Sequence, residues 1–331
     1  MKLYRKYLVV FTVAMLLGLI VQPLLFYINL GVPNKAAYNV NNWFQIKDEY
    51  AGSIDSPKIV FISGSNTLFG VDTEKIENEL GIPTVNYGVH AGFKFYILQR
   101  AKHHLHKRDV VVLPLEYGFY DYSDTEWGEE HALHVMGYDH AYFEAMPVTN
   151  KISCIQAIKI QDLIKLTFMR KGPLAPDENN HYSGKYLNVN GDMTYNPLDE
   201  RLSEKELNSR IGKHVFRVKP LSKDAKKELS NFINYCHQNE VIVYAAWPNY
   251  LWKEKVFSGS DLDGINAIES FYREHNVEII GSYTDCLYDA KLFYDTTDHL
   301  NEEGKRIHTD YLIRLLKEKL NQRNASSAFN E

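Results

Sequence analysis

Strand candidates, most of them short apolar runs, punctuate the chain at 58–62, 83–86, 109–114, 240–246 and 277–281. The clearest are Lys58-Ile59-Val60-Phe61-Ile62 and Asp109-Val110-Val111-Val112-Leu113-Pro114. Neither alternates apolar with polar positions, so each reads as a strand covered on both faces, as in a parallel sheet. Stretches with helical spacing lie at 72–80, 92–106, 221–238, 261–275 and 302–320. Asp72 or Thr73 suits the start of the first and Ser222 the start of the third, because such side chains accept from the unpaired amides of a first helical turn. Strand alternating with helix predicts an α/β fold, a three-layer sandwich around a parallel sheet of flavodoxin-like kind.

The N-terminal pattern differs. Lys2, Arg5 and Lys6 precede an uncharged stretch from Tyr7 to Leu30, interrupted only by Thr12, Gln22 and Asn29 as polar positions. Its length of about 24 residues suffices to span a hydrocarbon core at ~1.5 Å per residue. No short apolar region with a cleavage site is evident, so a transmembrane signal anchor is expected over 1–31 rather than a cleaved peptide. The basic flank places the N-terminus in the cytoplasm and the rest outside, in a single pass of the cell membrane. A buried helix is the alternative.

Beyond it, 32–56 reads as a polar connector and 57–320 as one domain. Residues 117–219 interrupt the alternation as an insertion beside the carboxyl edge of the sheet, rich in Tyr, His, Asn and Gly. One amphipathic helix is expected there, at 155–169, from Ile158, Ile160, Leu163, Ile164 and Leu166. The polar end, 321–331, reads as a disordered tail.

Composition narrows the classes. The chain has 331 residues and a net charge of −5, without a basic stripe, so nucleic acid is not an expected partner. Three cysteines, Cys154, Cys236 and Cys286, do not make a disulfide scaffold, though one bridge, such as Cys236–Cys286, suits an oxidising compartment. The run His103-His104-Leu105-His106-Lys107 looks metal-like but lies at a helix C-terminus, where basic side chains offset the dipole. No metal and no cofactor is expected.

Chemistry in open α/β sheets gathers beyond the carboxyl ends of the strands. Ser65 follows the first strand, Asn86-Tyr87-Gly88-Val89-His90-Ala91-Gly92 the second, Glu116-Tyr117 the third and Trp247 the fourth. Asp295, Asp298 and His299 precede the last helix. A serine hydroxyl needs a base, and the base an orienting partner. His299 suits the first role, and Asp295, or the alternate Asp298, the second. Backbone amides of Ser65 and of the Gly88–Gly92 loop suit an oxyanion, because glycine lets the backbone come close. Asn66, Glu116, Tyr117 and Trp247 are candidate substrate contacts.

This order of blocks resembles the SGNH (GDSL-type) hydrolases over 57–116 and 220–320. Ser63-Gly64-Ser65 takes the place of the family's G-D-S, the Gly88–Gly92 loop that of its glycine block, and Asp295…His299 with Gly304 that of its D-x-x-H-P…G block. Three positions depart: the family's aspartate would fall on Thr296, its third-block oxyanion Asn is replaced by Glu116-Tyr117, and Leu300-Asn301 follow the histidine. The lost Asn implies a hole weaker by ~10²–10³ in rate, or a donor from elsewhere. An outward-facing, membrane-anchored SGNH domain resembles a branch acting on envelope polymers beside a multi-pass membrane acyltransferase. That resemblance implies an acyl-Ser65 intermediate and O-acyl, chiefly O-acetyl, transfer to a polysaccharide hydroxyl, or simple ester hydrolysis. The alternative is a non-catalytic, membrane-tethered accessory protein that binds a glycan or an acyltransferase.

Overall fold

A computed structural model describes residues 2–169, 180–213, 218–252 and 259–328. Helices α1 (Lys2–Ile28) and α2 (Tyr38–Ser53) come first. Strand β1 (Ile59–Phe61) leads into α3 (Ser65–Gly70) and α4 (Thr73–Leu80), and β2 (Thr84–Asn86) into α5 (Phe95–Ala101). After β3 (Val110–Leu113) come α6 (Glu129–Tyr138), α7 (His140–Ala145), α8 (Val148–Ala157), α9 (Ile160–Phe168) and α10 (Glu204–Lys213). Then follow α11 (Lys223–Gln238), β4 (Ile242–Ala246), β5 (Tyr250–Leu251), α12 (Gly259–Glu274), β6 (Glu278–Ile280), β7 (Leu287–Tyr288) and α13 (Glu302–Ala328). The chain forms two compact units: Met1–Asn41 with Asp124–Asn180, and Asn42–Ser123 with His181–Glu331.

The second unit carries a parallel sheet in the order β2-β1-β3-β4-β6. Phe61 pairs with Asn86 on one side and Val112 on the other. Along each strand the side chains alternate between faces. Ile59, Phe61, Val110, Val112, Tyr244, Ala246 and Ile280 share a core with Ile76 of α4 and Leu312, Ile313 and Leu316 of α13. Helices α5 and α11 pack on each other, and α11 packs on β4. A buried ion pair fixes the starts of the two central strands: Lys58 Nζ lies 3.0 Å from Asp109 Oδ2. Asp109 also accepts from the amides of Lys58 and His106.

Helix starts follow local chemistry. Asp72 accepts from the Lys75 amide and Ser222 from the Ala225 amide. The helix expected at 92–106 is shortened to α5 because Lys94 takes a positive φ of 45°. The stretch read as a connector contains α2, which buries Trp43, Phe44 and Lys47. The stretch read as a tail continues α13 to Ala328, and 329–331 lie outside the described residues.

In the first unit, the helix expected at 155–169 is two helices. Ile158 and Lys159 adopt extended backbone between α8 and α9. The carbonyls of Ile155 and Ile158 both accept from the Gln22 side chain of α1.

Among the described residues, no helix is long and apolar enough to cross a membrane. The expected transmembrane anchor over 1–31 is therefore corrected, and with it the single-pass membrane localisation that rested on it. The last turns of α1 make contacts with protein. Besides Gln22, the side chain of Asn29 donates to Leu25 O and to Thr167 Oγ1. Leu25 and Phe26 are buried, and Phe26 packs on Phe143 with centroids 4.8 Å apart. The start of the helix, Tyr4 to Phe11, is exposed. Apolarity alone looked the same in either setting; Gln22 and Asn29 carry the difference.

Candidate active site

In this sheet the chain moves from β1 outward to β2, then back past β1 to β3. In open α/β sheets chemistry gathers where strand order reverses, here beyond the carboxyl ends of β1 and β3. Ser65 follows β1 and Glu116 follows β3, so both stand at that point. The turn between β1 and α3 is tied to the end of β3. Ser63 Oγ donates to Pro114 O at 2.8 Å, and so does Asn66 Nδ2. Ser63 and Asn66 side chains also bond each other at 2.9 Å. The Asn66 side chain is thus engaged in holding the turn.

Ser65 is the first residue of α3, so its amide has no acceptor within its own helix. Its hydroxyl lies 3.5 Å from Glu116 Oε1 and makes no hydrogen bond to His299. The same Oε1 accepts from the Asn66 amide at 3.0 Å. Two glycines permit this packing. A Cβ on Gly64 would lie 2.3 Å from Glu116 Oε1, and one on Gly88 would lie 2.5 Å from the Leu68 amide nitrogen. Gly88 therefore lets the loop after β2 press against the backbone of α3. Its amide donates to Asn86 Oδ1, and that of Gly92 donates to His90 Nδ1.

The histidine loop folds back on itself. Phe293 and Leu300 pair in antiparallel fashion, and the Tyr294 amide donates to His299 O. Thr296 Oγ1 accepts from the amides of Asp298 and His299. This reversal brings residues 295 and 299 face to face, and His299 Nδ1 lies 2.7 Å from Asp295 Oδ1. Asp295, rather than Asp298, is the imidazole's partner. The other oxygen of Asp295 accepts from the Tyr182 hydroxyl. Burial pushes the Asp295 carboxyl up, but the bonds from His299 and Tyr182 outweigh it and hold it below the usual range.

Phe69 fixes the other side of the imidazole. The two rings stack with centroids 4.1 Å apart and planes 11° apart. Phe69 stands four residues after Ser65 on α3, on the same helical face. The histidine is therefore stacked on a residue one helical turn along from the serine.

Asp298 takes a different position. Its carboxylate accepts from Thr297 Oγ1 at 2.9 Å. Burial first, then the charge of Glu116, pushes it up to about 7. Tyr117 and Trp247 are each 3% exposed. Tyr117 packs on Trp247 and Tyr250, and Trp247 on Tyr283, so their ring faces meet protein neighbours. His104 bonds Asp48 and His106 meets Lys58. Among the described residues, no group of three or more His, Cys, Asp or Glu gathers as a metal would require. The three cysteines are free and buried.

Sequence reasoning passed over Phe69, Tyr182 and Thr296. Phe69 had a signal, the spacing of four from Ser65. Tyr182 had none, since it comes from the middle of the insertion.

No family model matches the chain, and no curated protein does. Among solved structures, the chain is similar to one provisionally assigned as a platelet activating factor from Streptococcus pneumonia. That match has 11% identity and a TM-score of 0.41, and covers 86% of this chain and 94% of the other.

Proposed function

We propose that this chain is a serine esterase or O-acyltransferase of SGNH type that works through an acyl-Ser65 intermediate. The observation that carries the reading is the Asp295–His299 pair, stacked on Phe69 one helical turn from Ser65. A proton on Nδ1, directed at Asp295, leaves the Nε2 lone pair to take the Ser65 proton. Serine oxygen then bonds the ester carbonyl carbon. Collapse of the adduct expels the alcohol, which regains the proton from His299. The acyl group passes next to water or to an acceptor hydroxyl, and a glycan hydroxyl is the acceptor the sequence resemblance favours. Nucleophile and base often close their hydrogen bond only around substrate, so the Ser65–Glu116 contact is compatible with this role.

The test is covalent trapping on the full chain. A fluorophosphonate is expected to label wild type and not Ser65→Ala, and p-nitrophenyl acetate turnover is expected to disappear in the same variant. Labelling that survives Ser65→Ala overturns the proposal. Added oligosaccharide separates the two branches, because transfer yields an acylated sugar by mass spectrometry and hydrolysis yields free acid alone.

A further inference from the structure

The His299 loop is held through its backbone as well as through its ring. Thr297 O accepts from the Leu251 amide at 3.2 Å, and His299 O from the Tyr294 amide at 2.8 Å. The carbonyls on either side of His299 accept from side chains. Asn249 Nδ2 donates to Asp298 O at 2.7 Å, and Asn196 Nδ2 donates to Leu300 O at 2.9 Å. Both asparagines are buried. Asn249 comes from the turn between β4 and β5, and Asn196 from the stretch between α9 and α10.

Each asparagine also reaches the end of α3. Asn196 Nδ2 lies 3.4 Å from Phe69 O. Asn249 Oδ1 sits against Gly70, where an added Cβ would lie 2.5 Å from it. The last carbonyls of a helix have no partner within it, so such donors have a natural place there. Leu68 O is served in the same way by the Met193 amide at 3.1 Å, three residues before Asn196. The two neighbours of His299 are thus joined to the last two residues of the helix that Ser65 begins.

The other ends of the two side chains point to the same role. Among the described residues, Asn196 Oδ1 and Asn249 Oδ1 find no donor. A buried amide with an idle carbonyl costs free energy that an apolar side chain of that size avoids. What each side chain returns is the hold of its Nδ2 on the backbone beside His299.

We infer that Asn196 and Asn249 are positioning residues that set the separation of His299 from Ser65. The Asp295 contact orients the imidazole within its own loop, and the Phe69 stack sets the plane of the ring. Stacked rings still slide over one another's faces, since offset arrangements are favoured. The two amides oppose that sliding by fixing both neighbours of His299 to α3. A displacement of about 1 Å between reacting groups costs on the order of a hundredfold in rate. The inference rests on the acyl-serine reading above.

The test is steady-state kinetics of the full chain on p-nitrophenyl acetate, with thermal unfolding and fluorophosphonate labelling alongside. Asn196→Leu and Asn249→Leu are expected to lose about ten- to a hundredfold in kcat, with KM within about twofold of wild type. Asn34→Leu is the control. Asn34 is as deeply buried, and its Nδ2 donates to Leu133 O at 2.8 Å, but it belongs to the first unit. This variant is expected to lower the thermal midpoint and leave kcat unchanged. Asn196→Leu combined with Phe69→Leu is expected to lose less than the product of the single losses, because both act on one separation. Should the leucine variants not fold, Asn196→Ser and Asn249→Ser, smaller and still polar, carry the same expectation. Folded variants that keep wild-type kcat overturn this inference and leave the serine reading intact, and so does an equal kcat loss in Asn34→Leu. Wild type that takes no label, or label that survives Ser65→Ala, overturns both.

Discussion

The Phe69 ring lies flat on the His299 imidazole, 4.1 Å between centroids. Phe69 is 1% exposed and sits on the same short helix as Ser65. One side chain thus links the position of the candidate base to that of the candidate nucleophile. Truncating Phe69 to Ala is expected to destabilise by ~3–5 kcal/mol, which confuses folding with function. Phe69→Leu fills most of the volume without the flat face. Its expected effect is a kcat loss of about ten- to a hundredfold at nearly unchanged KM, with a thermal midpoint near that of wild type. Unchanged kcat in a folded Phe69→Leu protein removes the stack from the mechanism.

The two aspartates of the histidine loop are separable by the same assay. Asp295→Asn breaks the 2.7 Å contact with Nδ1 and favours the wrong tautomer, so kcat is expected to fall by ~10⁴ in a folded protein. Tyr182→Phe removes one bond that holds the Asp295 carboxyl low. The carboxyl then titrates higher, and activity begins to fail at a higher pH on the acid side. A pH–rate profile of Tyr182→Phe that overlays wild type contradicts that assignment.

Gly88 tests the packing of the loop against α3. An added Cβ meets the Leu68 amide nitrogen at 2.5 Å, and backbone cannot yield as a side-chain tip does. Gly88→Ala is expected to destabilise by ~1–3 kcal/mol and to shift Ser65 out of place. Gly128, with nothing within 4 Å, is the control, and Gly128→Ala is expected to stay within ~0.5 kcal/mol. Denaturant midpoints of the two variants decide.

Lys58 and Asp109 have fully buried side chains. Asp109→Ala leaves the ammonium without its partner and strips acceptors from two amides. A loss of ~3–5 kcal/mol is expected in equilibrium unfolding. A loss below about 1 kcal/mol contradicts a dry ion pair at this place.

Burial pushes His308 down to about 4. The folded form binds its proton less readily than the unfolded chain, whose imidazole titrates near 6.5. The contribution is therefore whole above about pH 6.5 and is lost as pH falls toward 4. It amounts to about 2 kcal/mol by pH 5. Denaturant midpoints measured from pH 7 to 5 are expected to decline in wild type and to decline less in His308→Leu. Equal slopes in both proteins exclude His308 as the source.

Much of the sheet was legible along the chain. All five runs became strands within two residues of their expected ends, because an apolar run of four to seven residues between helical segments has few places to go but a covered sheet. The site residues were legible for a related reason. Ser65, Glu116 and the Asp295–His299 segment were read at the ends of strands and before the last helix, and strand order alone sends those ends to one edge. The α1 segment misled because length and apolarity alone carry no trace of the contacts that its last turns make with Ile155, Ile158 and Thr167. Its companions α8 and α9 come more than a hundred residues later.

The parallel α/β pattern and the small set of polar residues at its carboxyl edge follow from local periodicity and from chain order. Which of them touch depends on how the elements pack. Asp295 meets His299 because a loop reverses between them, Phe69 covers the imidazole because α3 packs beside that loop, and Glu116 faces Ser65 because β1 and β3 are neighbours in register. Such contacts join residues from 4 to 230 positions apart, at ångström precision. That precision comes from packing and not from spacing, because no local propensity acts over such separations.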